Sequence, residues 1–168
     1  MEKSGKEIER KFLIEKYKGE IAGERVWDIV QTYLVRTDPD IQRRVRRIVS
    51  DGNVTCYYTE KRFIDHGIRE ENERDISAEE YERLKKEADP SLTEIIKRRR
   101  IFVYDGKTLE MDEYPFSDRY ASIEAELEGI TEEVTLPDFI RVIKEVTSDV
   151  RYSNSAIAKN QGFPEDFE

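Results

Sequence analysis

At 168 residues, with 37% hydrophobic and 40% charged residues, the chain can bury one core and is too apolar for a disordered tail. A net charge of −9 argues against broad, nonspecific nucleic-acid binding. No run approaches the roughly 18 apolar residues of a membrane span, no signal peptide is visible, and the lone Cys56 offers neither an intrachain disulfide nor a metal cluster. A cytoplasmic protein without nucleic-acid or membrane partners is therefore expected. No Gly/Ser linker, low-complexity stretch or long repeat interrupts the chain, which predicts a single domain over 1–168.

Most of the chain reads as short strands between turn signals. In order these are Glu7–Ile14, Asp28–Val35, Gln42–Ser50, Asn53–Lys61, Ile68–Ile76, Thr93–Tyr104, Lys107–Tyr114 and Tyr120–Glu128. Turns fall at Asp38-Pro39-Asp40, Asp51-Gly52-Asn53, Asp65-His66-Gly67 and Asp105-Gly106. Ser77-Ala78-Glu79-Glu80 is a capping box that opens a helix through about Ala88, before Pro90. Thr135-Leu136-Pro137-Asp138 resembles a second helix start, followed by Phe139, Ile140, Ile143 and Val146 at helical spacing. A short helix over Ser155–Gln161 is expected to end at Gly162.

Charge within the strands narrows the architecture. Side chains alternate between the faces of a strand, so Glu7, Glu9 and Lys11 share one face, with Ile8 and Phe12 on the other. The same logic groups Arg44 with Arg46, and Arg69 with Glu71 and Glu73. It also groups Lys97 with Arg99, Glu110 with Asp112, and Glu124 with Glu126 and Glu128, while Lys61 follows Tyr57 and Thr59. For any one strand the ordinary reading is a wet outer face. Wet faces on eight strands would need helices behind all of them, and the chain has few. A closed antiparallel barrel with a charged interior resolves this, its apolar faces turned outward under helices and aromatic side chains. The predicted class is α+β, an eight-stranded antiparallel closed β-barrel forming a tunnel with a few flanking helices.

Buried ions must be paired or meet a ligand. The acidic set is Glu7, Glu9, Glu71, Glu73, Glu110, Asp112, Glu124 and Glu126. The basic set, Lys11, Arg44, Arg46, Lys61, Arg69, Lys97 and Arg99, nearly balances it. Carboxylates suit Mg²⁺ or Mn²⁺, and guanidinium forks suit phosphate oxygens. The matching guest is a metal-bound polyphosphate.

This ordered set resembles the CYTH family, the triphosphate tunnel metalloenzymes, and particularly its small bacterial members. The signature ExExK stands as Glu7, Glu9 and Lys11. The likeness continues through Arg44-Val45-Arg46, Thr59-Glu60-Lys61, Arg69 to Glu73, Lys97-Arg98-Arg99, Glu110-Met111-Asp112, Glu124-Ala125-Glu126 and the stretch Glu145 to Ala158. The resemblance implies a divalent-metal-dependent hydrolase of a linear triphosphate, with inorganic tripolyphosphate favoured. An adenylyl cyclase of the same fold and a nonenzymatic polyphosphate-binding module are the alternatives. It implies Glu7, Glu9, Glu73, Asp112, Glu124 and Glu126 toward metal, Mg²⁺ or Mn²⁺. Lys11, Arg44, Arg46, Lys61, Arg69, Lys97 and Arg99 are implied toward the phosphates, with Glu7, Glu9 and Lys11 at the chemistry. Homodimerisation accords with the family, although no stretch marks an interface.

Other conspicuous residues take plainer readings. His66 is expected as a surface turn residue and Cys56 as a small core residue. Trp27 and the tyrosines are expected in the outer shell, although one tyrosine could line the tunnel mouth. Glu79–Glu87 reads as a solvated helix face, and Pro164–Glu168 as a frayed tail.

Overall fold

A computed structural model describes residues 2–65, 68–129 and 131–164; the side chains of residues 2–4 and of Glu7 lie outside that description. His66 and residues 165–168 of the acidic tail fall outside it as well. The strands are β1 (Glu2–Glu15), β2 (Arg25–Tyr33), β3 (Ile41–Ser50), β4 (Asn53–Asp65), β5 (Ile68–Ile76), β6 (Ile95–Tyr104), β7 (Lys107–Glu113), β8 (Tyr120–Glu126) and β9 (Val142–Glu145). The helices are α1 (Ala78–Lys85) and α2 (Asn154–Asn160).

Two Asp-Gly turns fix the tightest hairpins. Asp51 and Gly52 have φ of 50° and 79°, and Asp105 and Gly106 have 51° and 73°. Two successive positive φ values give the turn whose twist matches paired strands. These turns join β3 to β4 and β6 to β7. The Asp38 turn leads into β3, with the Asp38 side chain accepting from the Asp40 N–H at 2.9 Å.

All strand pairings are antiparallel, and β1 closes the sheet. Its Glu2–Ile8 half pairs with β5 and its Glu9–Glu15 half with β8. The remaining order runs β5-β4-β3-β2-β6-β7-β8, so these seven strands and β1 close a ring of eight. The result is the closed eight-stranded antiparallel barrel with two helices that the alternating charge predicts.

The 135–146 segment departs from its expected helix. Residues 131–141 are irregular, and Val142–Glu145 form β9 against Phe12–Ile14 of β1. Beyond Ile8, β1 has no β5 partner on that edge, and β9 satisfies the backbone groups left there. Val134, Thr135, Val142 and Ile143 are β-branched and accept extended backbone readily. Apolar spacing suitable for a helix was overruled by an open strand edge.

The outward apolar faces are covered in two ways. Helix α1 lays Tyr81 and Leu84 over Leu34, Val45 and Cys56. Its start follows the sequence signal in half: Ser77 Oγ accepts from the Glu80 N–H at 3.0 Å, but the Glu80 carboxylate turns to Arg74 at 2.6 Å. Among the described residues, no helix packs on the apolar face that β1, β6, β7 and β8 share. Phe12, Phe102, Met111 and Ile123 pack instead beneath Ile21, Val134, Leu136 and Ile140 from irregular chain.

Helix α2 has another task. Its Ile157 and Ala158 pack on Tyr33, Ile95 and Tyr114 at one end of the barrel. Ser153 caps its start and Gln161, with φ of 49°, ends it in the left-handed conformation one residue before Gly162. Among the described residues no helix is long and apolar enough to cross a membrane.

Ile123 tests the irregular cover, since it is fully buried between β8 and that chain. Ile123→Ala is expected to cost about 2–5 kcal/mol in urea unfolding. A cost below about 1 kcal/mol would show that the cover collapses freely onto the strand.

Candidate active site

Register carries the alternation around the barrel. Lys11 lies opposite Glu124, Glu9 opposite Glu126, and Glu110 opposite Glu124. Arg44 faces Thr59, Lys61 faces Glu71, and Arg99 faces Asp112. Residues directly opposite one another point to the same side of a sheet, so these side chains converge on the barrel interior. Most of them line a cavity of about 680 Å³.

Of the residues expected at the site, Glu9, Glu73, Glu124 and Glu126 line this cavity on the acidic side. Lys11, Arg44, Arg46, Lys61, Arg69 and Arg99 line it on the basic side. Glu7 lies outside the described side chains, although its backbone pairs with Arg69 within β1 and β5. Lys97 and Asp112 are not among the lining residues. They sit behind Arg99, with Lys97 Nζ 2.9 Å from Asp112 Oδ2 and no exposed side-chain surface on Lys97.

The interior ions are mostly paired. Arg99 donates to Asp112 through Nε at 2.8 Å and Nη2 at 3.0 Å, and to Glu110 at 2.5 Å. Arg46 reaches Glu73 at 3.1 Å, and Glu73 also accepts from Thr59 at 2.8 Å. Arg69 reaches Glu9 at 3.0 Å, Lys61 reaches Glu71 at 3.7 Å, and Lys11 reaches Glu124 at 3.1 Å. Both Asp112 oxygens are thus engaged by cations.

Arg44 is the exception. It is 5% exposed and makes no ion pair among the described residues. The buried Nε groups of both Arg44 and Arg46 lack a hydrogen-bond acceptor. Burial and the nearby Arg44 charge pull Arg46 down to about 10 despite Glu73. Cations are therefore crowded on the β3 side of the cavity, and they still have donors to offer.

Carboxylates meet on the other side. Glu9 and Glu124 are within hydrogen-bonding reach of each other. Burial would raise the Glu124 carboxyl, but Lys11, contact with Glu9, and Arg99 hold it well below the usual range. No three Asp, Glu, His or Cys side chains are grouped as a metal cage among the described residues.

Several lining residues have no counterpart in the charged motifs. Trp27, expected in the outer shell, lines the cavity, as do Tyr33 and Phe63. Trp27 faces the interior because it stands opposite Arg99 in the β2–β6 pairing. Alternation along Trp27, Ile29, Gln31 and Tyr33 was visible in the sequence, but the neighbour that decides their face was not. Ser153, Asn154 and Ser155 at the start of α2 complete the wall.

Solved structures share this architecture. The chain is 25% identical to the inorganic triphosphatase NE1496 with a TM-score of 0.59, over 91% of this chain and 94% of that one. The ordered motifs, the charged closed tunnel and this likeness agree. The chain resembles the CYTH type in motif order and fold. A second structure of NE1496, described as a hypothetical protein, gives 25% identity and a TM-score of 0.57 over 94% and 99% of the two chains. The PH1012 protein from Pyrococcus horikoshii OT3 shares the fold at 20% identity and a TM-score of 0.52, over 74% and 80%. No family model and no curated protein sequence matches this chain.

Behind the cavity, Lys97 provides a pH signature. Burial pulls its ammonium down to about 7, and Asp112 only partly offsets this because Arg99 claims the same carboxylate. Burial would raise Asp112, yet Arg99 and Lys97 together hold it at about 2. The unfolded chain binds the Lys97 proton more tightly than the folded one between about 7 and the ordinary lysine value of 10.5. Stability therefore rises with pH across that window. In urea unfolding, wild type should gain on Lys97→Met by at most about 1.4 kcal/mol per pH unit above pH 7. A flat difference would show that the ammonium stays charged.

Proposed function

We propose that this chain hydrolyses a linear triphosphate bound in the barrel, with inorganic tripolyphosphate the favoured substrate and Mg²⁺ or Mn²⁺ as the cofactor. The observation that carries the reading is the Arg44–Arg46 pair, buried in the cavity wall with unsatisfied Nε donors and no carboxylate on Arg44. A buried guanidinium N–H without an acceptor is costly, and phosphate oxygens are the acceptors its geometry suits. The 25% identity to an inorganic triphosphatase supports the same substrate class.

The carboxylates fit a hard cation that arrives with such a ligand. Glu9 and Glu124 are within hydrogen-bonding reach, and Glu126 stands opposite Glu9, so carboxyl groups are crowded where a divalent ion would take the place of a shared proton. An ion held by one or two carboxylates completes its shell with phosphate oxygens and water, as Mg²⁺ commonly does, and needs no preformed protein cage. Glu9, Glu124 and Glu126 would hold it, with Glu7 as the remaining acid of the signature. Bound there, the ion would neutralise charge developing on the transferred phosphoryl group and lower the pKa of a water.

The chain's own residues supply the positioning that phosphoryl transfer chiefly asks for. Arg44 and Arg46 hold phosphate oxygens from β3, and Lys61 and Lys11 from β4 and β1. Arg99, locked by Asp112 and Glu110, presents a fixed guanidinium face from β6. Glu73 and Asp112 act on these cations through ion pairs, and Lys97 acts through Asp112. A carboxylate on the metal side can orient the attacking water.

The test is product analysis with tripolyphosphate, ATP and thiamine triphosphate, each with Mg²⁺ or Mn²⁺. Metal-dependent phosphate release from tripolyphosphate is expected, abolished in Glu7→Gln/Glu9→Gln with the fold intact. Arg44→Ala should weaken tripolyphosphate binding roughly 10- to 100-fold, the worth of a charge-assisted hydrogen bond to a buried group. Cyclic AMP with pyrophosphate from ATP would make the chain a cyclase. Tight binding without product would make it a binding module.

A further inference from the structure

Lys11 is held at three points by chain from the far C-terminal part of the sequence. Its backbone N–H donates to Thr147 Oγ1 at 3.1 Å, and its carbonyl accepts from the Val146 N–H at 2.8 Å. Its ammonium donates to the Tyr152 carbonyl at 3.0 Å. The same ammonium lies 3.1 Å from Glu124 Oε1, and Lys11 is buried in the cavity wall. An ammonium has three N–H donors. Two are spent on Tyr152 and Glu124, which leaves one for a ligand.

The clamp has its own anchor. Thr147 Oγ1 donates to Glu145 Oε2 at 2.5 Å, and Arg10 grips the same carboxylate at 2.9 and 2.7 Å. Arg10 is the neighbour of Lys11 on β1, and its guanidinium pairs outside the barrel while Lys11 points in. The turn that offers the Tyr152 carbonyl is fixed in its turn. Asp149 accepts from the Arg151 N–H at 3.1 Å, and the Tyr152 ring packs with Leu13 and Val146.

We propose that Thr147 is a positioning residue for Lys11: through the Arg10–Glu145–Thr147 relay it sets β1 against the Tyr152 turn, so that the one remaining Lys11 donor aims at bound phosphate. This rests on the triphosphate reading of the cavity. Thr147 touches no ligand and does its work through Lys11. A purely structural threonine would stabilise the protein without any dependence on the Lys11 ammonium.

The test is a double-mutant cycle read by calorimetric binding of tripolyphosphate with Mg²⁺, which needs no turnover. Thr147→Val should weaken binding roughly tenfold in the wild-type background and little in Lys11→Ala, because the group it positions is then gone. Thr147→Ser, which keeps the acceptor, should restore binding. Equal weakening in both backgrounds, no weakening, or failure of serine to restore binding would each overturn the positioning role. If Thr147→Val does not fold, Glu145→Gln removes the carboxylate that both Arg10 and Thr147 hold and is subject to the same comparison. A wild-type protein that binds no tripolyphosphate would instead overturn the reading of the cavity, and the positioning role with it.

Discussion

The structure depends on keeping ionised side chains inside a closed barrel. Taking a carboxylate or ammonium out of water costs several kcal/mol even after relaxation. The barrel meets that cost through register: strand pairing sets acid against base at Lys11 and Glu124, Lys61 and Glu71, and Arg99 and Asp112. A slip of one residue in any of these ladders would turn its whole set to the outer face. The charges therefore specify the pairing that makes them tolerable. Closure by the two halves of β1 matters for the same reason, since the strand that carries Glu9 and Lys11 is also the seam.

Turning the charge inward reverses the usual problem of a β-barrel. The apolar residues face out and need cover, which the chain provides unevenly. One helix suffices over β3 and β4, while irregular segments before β2 and after β8 cover the rest. The same C-terminal chain then pairs along β1 as β9, grips Lys11 and packs α2 across one end of the barrel. Shell and site are thus joined through one stretch of sequence, roughly 134–158.

Much of this was legible because it is local. Turn signals placed eight strands within about five residues of their observed bounds, period-two charge marked the face turned inward, and the Asp-Gly turns fixed two hairpins. What failed was relational. Phe139, Ile140, Ile143 and Val146 have helical spacing, but an unpaired strand edge claimed the end of that segment as β9. Trp27 alternates with Tyr33 as any strand residues do, and only its pairing with β6 turns it inward. Lys97 and Asp112 were assigned the correct face but not their depth, because depth in the tunnel depends on stagger around all eight strands.

Depth also explains a pair that stability alone does not recommend. A buried lysine and aspartate can often be replaced by apolar residues of similar volume at no loss in stability. Asp112 spends both oxygens on cations, two of its bonds going to Arg99. Arg99 would otherwise keep the freedom of a long side chain in a cavity rich in carboxylates. Held by Asp112 and Glu110, it keeps one orientation before any phosphate arrives, so less entropy is lost when one does. Lys97 sits on the far side of Asp112 and offsets part of the charge that would remain if Arg99 turned toward a ligand. The buried pair thus acts as a fixed backing for a guanidinium that faces the cavity, and its cost in stability is set against preorganisation of the site.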